Sequence, residues 1–591
     1  DSGRSEAADR NRAPSPGGDS RTGIGTRPGP MLQVVTPPDL TPPALGAERS
    51  AAVDGAIRSR LRSPAVLRHC APVLAAALAG LAVTSAFPPK DMWWAAPFGL
   101  ALLAGTLRGR GVWTGAGLGL VFGIVLFAPL LHFTAVAMGN PIGWAALTVV
   151  QALYMVVLGA AWALVSRIPV LADVGPRAGS AVAARILSFA VLWCGVEELR
   201  SSWPWGGFPF GRLAFAMADA PMLPFAAYGG SIGLSLLVVL VGACVFETVH
   251  AVRARAAWTA LTTAICAGLV LAAPLALPVN DTAEDGTLAV GAVQGNVAED
   301  FEDAFNRALE VTGNHARATE QLAADTGRGR LDVVIWPENA ADLDPRTHRA
   351  TAELVESSAR TIDAPIVVGA VPQEERNHVR YNDMIVWTPG EGAGASYRKH
   401  RPVPFAEYIP LRDLIRRVSA QVDRIGVDMA PGTGPQTLTV RAAVQDRDVS
   451  LAMGICFEVA YDDTLREGVR QGGELIVIPT NNASFLTSSE ADQQLAQGRV
   501  QAVVHGRGVV QVSTVGITAI ISPKGVVEQE TRPYTRAALV ADVGLRTSLT
   551  PADVMGDWPG RVLCGFAVAL VATGIVFSAT RRLAPVGGRR R

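Results

Sequence analysis

Little in this chain of 591 residues could hold a metal or close a disulfide framework. Six cysteines stand at positions 70, 194, 244, 266, 456 and 564, and five of them lie in or beside long apolar runs, where a thiol behaves as a small hydrophobe. Only Cys456 falls in the polar part, so no disulfide framework can form there, and no pair has metal-ligand spacing. The eight histidines are scattered. There are 60 glycines and 39 prolines, but no phosphate-cradling glycine loop, no collagen period and no internal repeat. Fifty-two basic residues balance 52 acidic ones, which removes the broad positive footprint of a nucleic-acid binder. No metal, nucleotide or redox cofactor and no nucleic-acid partner is expected.

Apolar residues are abundant, at 49% of the chain with a mean hydropathy of +0.27, and they are unevenly placed. Residues 1–62 are rich in Pro, Gly, Ser, Arg and Asp, lack hydrophobic periodicity, and read as a disordered tail without the pattern of a signal peptide. Runs of bilayer-spanning length follow near 66–86, 93–108 (short, and broken by Pro97), 112–133, 142–166, 183–199, 225–248 and 257–278, with one more at 562–580. So many adjacent long runs predict a membrane domain of about eight helices rather than the core of a soluble protein. Arginines alternate between the connecting loops. They gather before the first run (Arg58, Arg60, Arg62, Arg68), after the second (Arg108, Arg110) and around the loop after the fourth (Arg167, Arg177, Arg185). They recur between the sixth and seventh (Arg253, Arg255) and after the last (Arg581, Arg582, Arg589, Arg590, Arg591). That pattern predicts both ends in the cytoplasm and residues 279–560 outside. The expected division is tail 1–62, membrane domain 63–280, polar domain 281–548, and C-terminal span with basic tail 549–591.

The loop after the fifth run carries Trp203, Trp205, Phe208 and Phe210, which suit either interfacial anchoring or a site. Glu197, Glu198 and Arg200, at the adjoining helix end, could line a site or snorkel to the interface. Between 287 and 545, short β-branched runs alternate with helical stretches such as 299–325 and 348–361, predicting an α/β layered fold large enough for its own core. Candidate strands are Leu288–Val297, Leu331–Trp336, Ile366–Val371, Met384–Thr388, Val449–Cys456, Leu475–Pro479, Val509–Thr514, Thr518–Ser522 and Ala538–Val543.

Three strand ends carry reactive groups. Val333–Glu338 ends a buried-looking strand in Trp-Pro-Glu, where Glu338 could act as a base or be an ordinary solvated loop residue. In Tyr397–Tyr408, Lys399 could stabilise an oxyanion and Glu407 could orient it, although a basic run before proline is often a surface loop. Met453–Glu458 puts Cys456 at a sharp strand-to-helix turn, suited to an exposed nucleophile, while a lone Cys there would also suit the core. Glu, then Lys about 60 residues on, then Cys about 60 beyond, is the parts set of acyl-transfer chemistry.

These motifs resemble the nitrilase superfamily and, within it, the apolipoprotein N-acyltransferases, over roughly 65–580. Trp-Pro-Glu, Tyr-x-Lys, Val-Pro-Phe-x-Glu and the Gly-Ile-Cys-Phe-Glu turn carry the likeness, with Gly207-Phe208-Pro209-Phe210 where the family has Gly-Phe-Pro-Trp. The resemblance implies an α-β-β-α sandwich outside a bacterial cell membrane, with Glu338, Lys399 and Cys456 catalytic and Glu407 and Glu458 supporting. It implies a phospholipid acyl donor, a Cys456 thioester, and a diacylated apolipoprotein as acceptor. Trp203, Phe208, Phe210, Phe405, Tyr408 and Phe457 are candidates for contact with substrate, and Phe405, Tyr408, Phe457 and Phe485 could shield the thioester or simply pack a core. Thr480-Asn481-Asn482-Ala483-Ser484 replaces the family's Thr-Asn-Asp-aromatic, and Gln501-Ala502-Val503-Val504 replaces Arg-Ala-x-Glu, which puts local salt bridges in question. A membrane-tethered amidase using water as acceptor, and an idle scaffold, are the rival readings.

Overall fold

The computed structural model describes residues 64–172, 179–297, 309–374, 376–417, 423 and 425–583. The expected disordered tail, the start of the expected helix 299–325 and the last basic residues lie outside the described residues. The chain divides into Asp1–Leu67 and Arg68–Arg591, and every element bearing on the site belongs to the second.

All eight apolar runs are helical. Before the mixed region come α1 (Pro64–Thr84), α2 (Ala95–Leu107), α3 (Val112–Leu130), α4 (Pro141–Val165), α5 (Gly179–Ser202), α6 (Ala226–Arg253) and α7 (Ala257–Ala272). Of these, α3 to α7 are long and apolar enough to cross a membrane, as is the C-terminal helix; Cys70–Thr84 and Ala95–Leu107 are shorter. The 13 residues of α2 span about 20 Å, less than a hydrocarbon core of about 30 Å. Small residues let the helices approach closely. A Cβ on Gly119 of α3 would meet the Met155 carbonyl of α4 at 2.1 Å, so backbone packs on backbone.

The mixed region contains two six-stranded sheets. The strands of these two sheets and the helices that cover them are, in chain order, β1 (Thr287–Gln294), α8 (Glu310–Thr326), β2 (Val333–Ile335), α9 (Arg349–Ile362), β3 (Ile366–Ala370), β4 (Asp383–Thr388), β5 (Gly392–Arg398), β6 (Thr437–Ala442), β7 (Arg447–Met453), α10 (Asp462–Arg470), β8 (Leu475–Thr480), α11 (Glu490–His505), β9 (Val509–Ser513), β10 (Ala519–Ile521), β11 (Val527–Glu530) and β12 (Ala537–Gly544). The first sheet runs β12-β1-β2-β3-β4-β5 and the second β11-β10-β9-β8-β7-β6. Their inner faces share one core, in which Val290, Ile335 and Val367 meet Leu451, Val477 and Val512. α8 and α9 cover the outer face of the first sheet through Leu322, Val355 and Ile362. α10 and α11 cover the second through Leu465, Val469 and Ala502. The result is a four-layer α-β-β-α domain, followed by the C-terminal helix α12 (Trp558–Leu583).

Every expected strand is present, with ends shifted by a few residues. The shift that matters for the site concerns the expected strand Val449–Cys456. It stops at Met453, and Cys456 instead opens a 3₁₀ turn, Cys456–Ala460. Strands β5 and β11 carry no strong sequence signal, because β5 reads Gly-Ala-Gly-Ala-Ser and both are largely exposed, whereas β6, Thr-Leu-Thr-Val-Arg-Ala, alternates buried and exposed and was passed over.

The two regions are joined by a buried carboxylate. Gly230 of α6 adopts φ 66°, which breaks the helical ladder and frees the next N–H. Asp462, at the start of α10, accepts that Ser231 N–H at 3.0 Å and the Ser231 hydroxyl at 2.7 Å. Gln501 donates to the same carboxylate at 3.1 Å and to the Val459 carbonyl at 2.8 Å. Where the resemblance expects an arginine, the neutral Gln501 amide thus donates to the joint, and Val504 fills an apolar cluster.

Candidate active site

Strands β1, β2 and β3 are mutually parallel, as are β7, β8 and β9, so the carboxyl ends of both trios open to one side. Such ends are where α/β sheets place ligands. Trp336 leaves β2 wholly buried, its indole N–H bonded to the Thr319 hydroxyl at 2.9 Å, and Pro337 then ends the strand. Glu338 follows, 3% exposed. One carboxylate oxygen accepts from the Asn382 amide at 2.6 Å and from the Lys399 ammonium at 3.2 Å. The other accepts the backbone N–H of Asn481 at 2.9 Å.

Lys399 is the next residue after β5 and is 1% exposed. Its ammonium bridges two carboxylates, since it also donates to Glu407 at 2.8 Å. The second Glu407 oxygen accepts the Val403 N–H at 2.7 Å, which ties the loop carrying it back to the lysine. Burial by itself would lower the lysine's pKa, but Glu338 and Glu407 override it and hold the amine charged. For Glu338 the balance runs the other way: burial raises its pKa above the ordinary carboxylate value, and Lys399 only partly offsets that.

Cys456 lies close enough to this pair for both charges to act on it. Burial and then Glu338 push its thiol pKa up, while Lys399 pulls it down. The resting sulfur therefore carries its proton, beside a carboxylate whose proton affinity is itself raised. Cys456 sits at φ 53°, a left-handed conformation unusual for a residue with a Cβ. Glu458, fully buried two residues later, holds that turn. It accepts from the Ile455 N–H (2.8 Å) and the Tyr397 hydroxyl (2.9 Å), and from the His400 (2.7 Å) and Arg401 (2.9 Å) N–H groups. One carboxylate thus binds the cysteine turn to the segment that follows Lys399. Among the described residues, no group of three or more His, Cys, Asp or Glu is placed to hold a metal.

An α/β domain closing on a Glu–Lys–Glu chain and a cysteine turn, joined to a helical membrane region, has clear relatives. Residues 79–244 match the profile "Apolipoprotein N-acyltransferase N-terminal domain" and residues 289–548 match "Carbon-nitrogen hydrolase". The apolipoprotein N-acyltransferase of Mycolicibacterium smegmatis is 33% identical over 554 residues, covering 89% of this chain and 88% of its own. The chain belongs to the apolipoprotein N-acyltransferase family. The Pseudomonas putida member is 27% identical, covering 83% of this chain and 94% of its own. Among solved structures, the carbon-nitrogen hydrolase from Helicobacter pylori G27 aligns with 47% of this chain and 94% of its own at 13% identity and a TM-score of 0.34.

In this family member, the aromatic loop reaches the cysteine turn. Phe208 and Phe210 lie 5.4 and 5.6 Å from the Phe457 ring, the second pair stacked at 10°. Phe133 contacts both Phe210 and Phe485, extending the layer from membrane region to catalytic domain. Phe405 joins Trp205 at 5.7 Å rather than this cluster. Trp203 is 63% exposed, and Tyr408 is half-buried, its carbonyl accepting the Phe405 N–H. Glu197, Glu198 and Arg200 brace the loop. Arg200, 1% exposed, donates to the Phe208 and Phe210 carbonyls, both at 2.7 Å, and Glu198 pairs with Arg212. Glu197 accepts the Leu213 N–H.

Sequence reasoning passed over Glu490, which reads as an ordinary acidic residue in a helix first turn. It is 2% exposed and accepts from the Asn482 amide at 2.5 Å. The neighbouring departure now makes physical sense. An Asp at 482 would set two carboxylates face to face, whereas Asn482 donates to Glu490 and Gln494 and accepts from Ser513. Burial pushes the Glu490 pKa up to about 8, and Glu338 adds to the shift. The folded protein then keeps a proton that the unfolded chain releases, so this group's contribution to stability is complete below about pH 4 and lost as pH rises toward 8. The slope is about 1.4 kcal/mol per pH unit. Glu490→Gln should flatten it: apparent Tm changes little at pH 5 and rises above wild type at pH 8, read by thermal unfolding in detergent across that range.

Proposed function

We propose that this chain transfers an acyl chain from a membrane phospholipid, through a thioester on Cys456, to the α-amino group of an S-diacylglyceryl cysteine at an apolipoprotein N-terminus. The observation that carries the reading is the Lys399 ammonium bridging Glu338 and Glu407 beside a strained cysteine turn roofed by the membrane-loop phenylalanines. In the first step Glu338 takes the thiol proton as sulfur attacks the ester carbonyl, and the oxyanion forms beside Lys399. Collapse breaks the ester C–O bond, and the leaving lysophospholipid alkoxide takes the proton from Glu338. The lipoprotein amine then attacks the thioester; Glu338 takes the amine proton and returns it to the departing Cys456 thiolate as the C–S bond breaks.

Glu407 fixes Lys399, Glu458 fixes the cysteine turn, and Phe208, Phe210 and Phe457 keep water from the thioester. Trp203, Phe405 and Tyr408 would meet substrate at the membrane edge. The eight helices act as eight spans in a bacterial cell membrane, with both termini cytoplasmic and the catalytic domain outside; the alternation of loop arginines supports that orientation.

Intact mass of the purified protein in phospholipid-containing detergent tests the reading. Wild type should gain an acyl-sized increment, labile to hydroxylamine and discharged onto an added diacylated lipopeptide. Discharge to water alone would make the chain a hydrolase. A well-folded protein that takes no acyl group from any of several phospholipids would leave only the scaffold reading.

A further inference from the structure

At the end of the bundle away from the catalytic domain, the helices part around a crevice of about 1170 Å³. α6 and α12 show which end this is. α6 meets Asp462 at Ser231 near its start, and α12 begins after Asp557, which pairs with Arg466 of the catalytic domain; both line the crevice with their last turns. The 28 residues of α6 put about 40 Å between the α6 ends. One wall is apolar and faces outward: Phe98, Leu102 and Val249 line the crevice and are 57%, 39% and 43% exposed. The rim is cationic, with Arg108, Arg167, Arg253 and Arg581.

Among the described residues none of these four arginines makes an ion pair, and none of the residues lining the crevice is acidic. Glu247, six residues before the end of α6, is taken by Arg185 through two bonds of 2.7 Å. Arg108 and Arg581 rest over Phe246 and Phe577, ring contacts that leave guanidinium N–H groups to bond elsewhere. His250, also on the lining, buries its Nε2 without a partner among the described residues. Helix C-termini favour cations, and cytoplasmic loops collect arginines, so the number of positive charges here needs no ligand. Their convergence on one crevice does. Each guanidinium brings five N–H donors, and the exposed apolar wall of Phe98, Leu102 and Val249 lines the same crevice. A phosphodiester with an acyl chain matches both parts.

We infer that this crevice binds an anionic glycerophospholipid of the leaflet at that end, its phosphate between Arg108 and Arg253 and an acyl chain along Phe98 and Leu102. This lipid is not the acyl donor, because the reactive cysteine lies beyond the opposite end of α6. It would fill the space between α2, α6 and the C-terminal helix.

Native mass spectrometry of the full chain tests this, with Cys456→Ala in both arms so that no lipid is consumed. Phosphatidylglycerol and phosphatidylcholine of the same acyl chains are titrated against that protein and against the same protein carrying Arg108→Gln and Arg253→Gln. The unsubstituted rim should retain one more phosphatidylglycerol, and removing two arginines should weaken that binding roughly 30-fold, about fivefold each. Equal retention in both arms, equal affinity for phosphatidylcholine, or displacement by equimolar inorganic phosphate would overturn the assignment. A photoactivatable phosphatidylglycerol on the chain with its rim intact reads the same point without a rim variant. It should label peptides spanning 98–108 and 245–253, and labelling confined to other segments counts against the site.

Discussion

Cys456→Ala should abolish both the acyl adduct and transfer to a lipopeptide, with activity falling by at least on the order of 10⁴-fold while the protein stays folded. In the proposed mechanism the sulfur carries the acyl chain, and alanine offers no atom in its place. Glu458 accepts its bonds from Ile455, Tyr397, His400 and Arg401 without using the cysteine side chain, so the turn survives truncation. The left-handed backbone at 456 supplies a second readout. Cys456→Gly should be as inactive as Cys456→Ala yet more stable by about 1 kcal/mol, because glycine enters that region without a Cβ penalty. Glu338→Gln keeps the volume but cannot take a proton and turns an NH₂ toward donors, and should lower turnover by about 10²- to 10⁴-fold. Single-turnover kinetics would separate the two variants: no adduct for Cys456→Ala, slow adduct for Glu338→Gln. A Cys456→Ala protein that still transferred acyl chains would sink the proposed mechanism.

Glu458→Ala should be the most destabilising single change in the catalytic domain, on the order of 3 to 5 kcal/mol. Its carboxylate is fully buried and is the common acceptor for three backbone N–H groups and one tyrosine hydroxyl. Truncation leaves three backbone N–H groups without their acceptor and the Tyr397 hydroxyl with only His400 Nδ1, at 3.2 Å. Glu458→Gln keeps one oxygen but turns an NH₂ toward donors, so it should fall between alanine and wild type. The check is apparent Tm with the rate of acyl-adduct formation. Loss of adduct with Tm unchanged would show that Glu458 is more than a positioning residue, and neither loss would show that the turn holds itself.

Within the proposed reaction, acid and base are prepared by burial rather than by exposure. Lys399 stays charged in a dry site because two carboxylates face it, and Glu338 binds its proton more tightly than a surface glutamate because one ammonium only partly compensates for lost water. That arrangement raises the carboxylate's proton affinity and keeps the ammonium charged, the states the proposed base and oxyanion partner require.

The helices and the reactive strand ends were legible because their signals are local. A run of apolar residues of membrane length, or a β-branched run broken by Pro or Gly, carries its own free energy of burial wherever it lies in the chain. Glu338, Lys399, Glu407, Cys456 and Glu458 stand beside such breaks. What remained hidden depends on neighbours distant in sequence. Strand β5 reads as a polar, glycine-rich loop and is a strand because the β4 edge offers it hydrogen bonds. Glu490 looks solvated until α11 packs against the site, and Glu197, Glu198 and Arg200 look like membrane-edge charges until the aromatic loop folds over them. The sequence by itself determined the apolar helices, the layered α/β class and the strand ends at which reactive side chains stand. Tertiary structure alone decided which of those groups share a dry pocket, because desolvation and charge pairing act across space and leave no period in the chain.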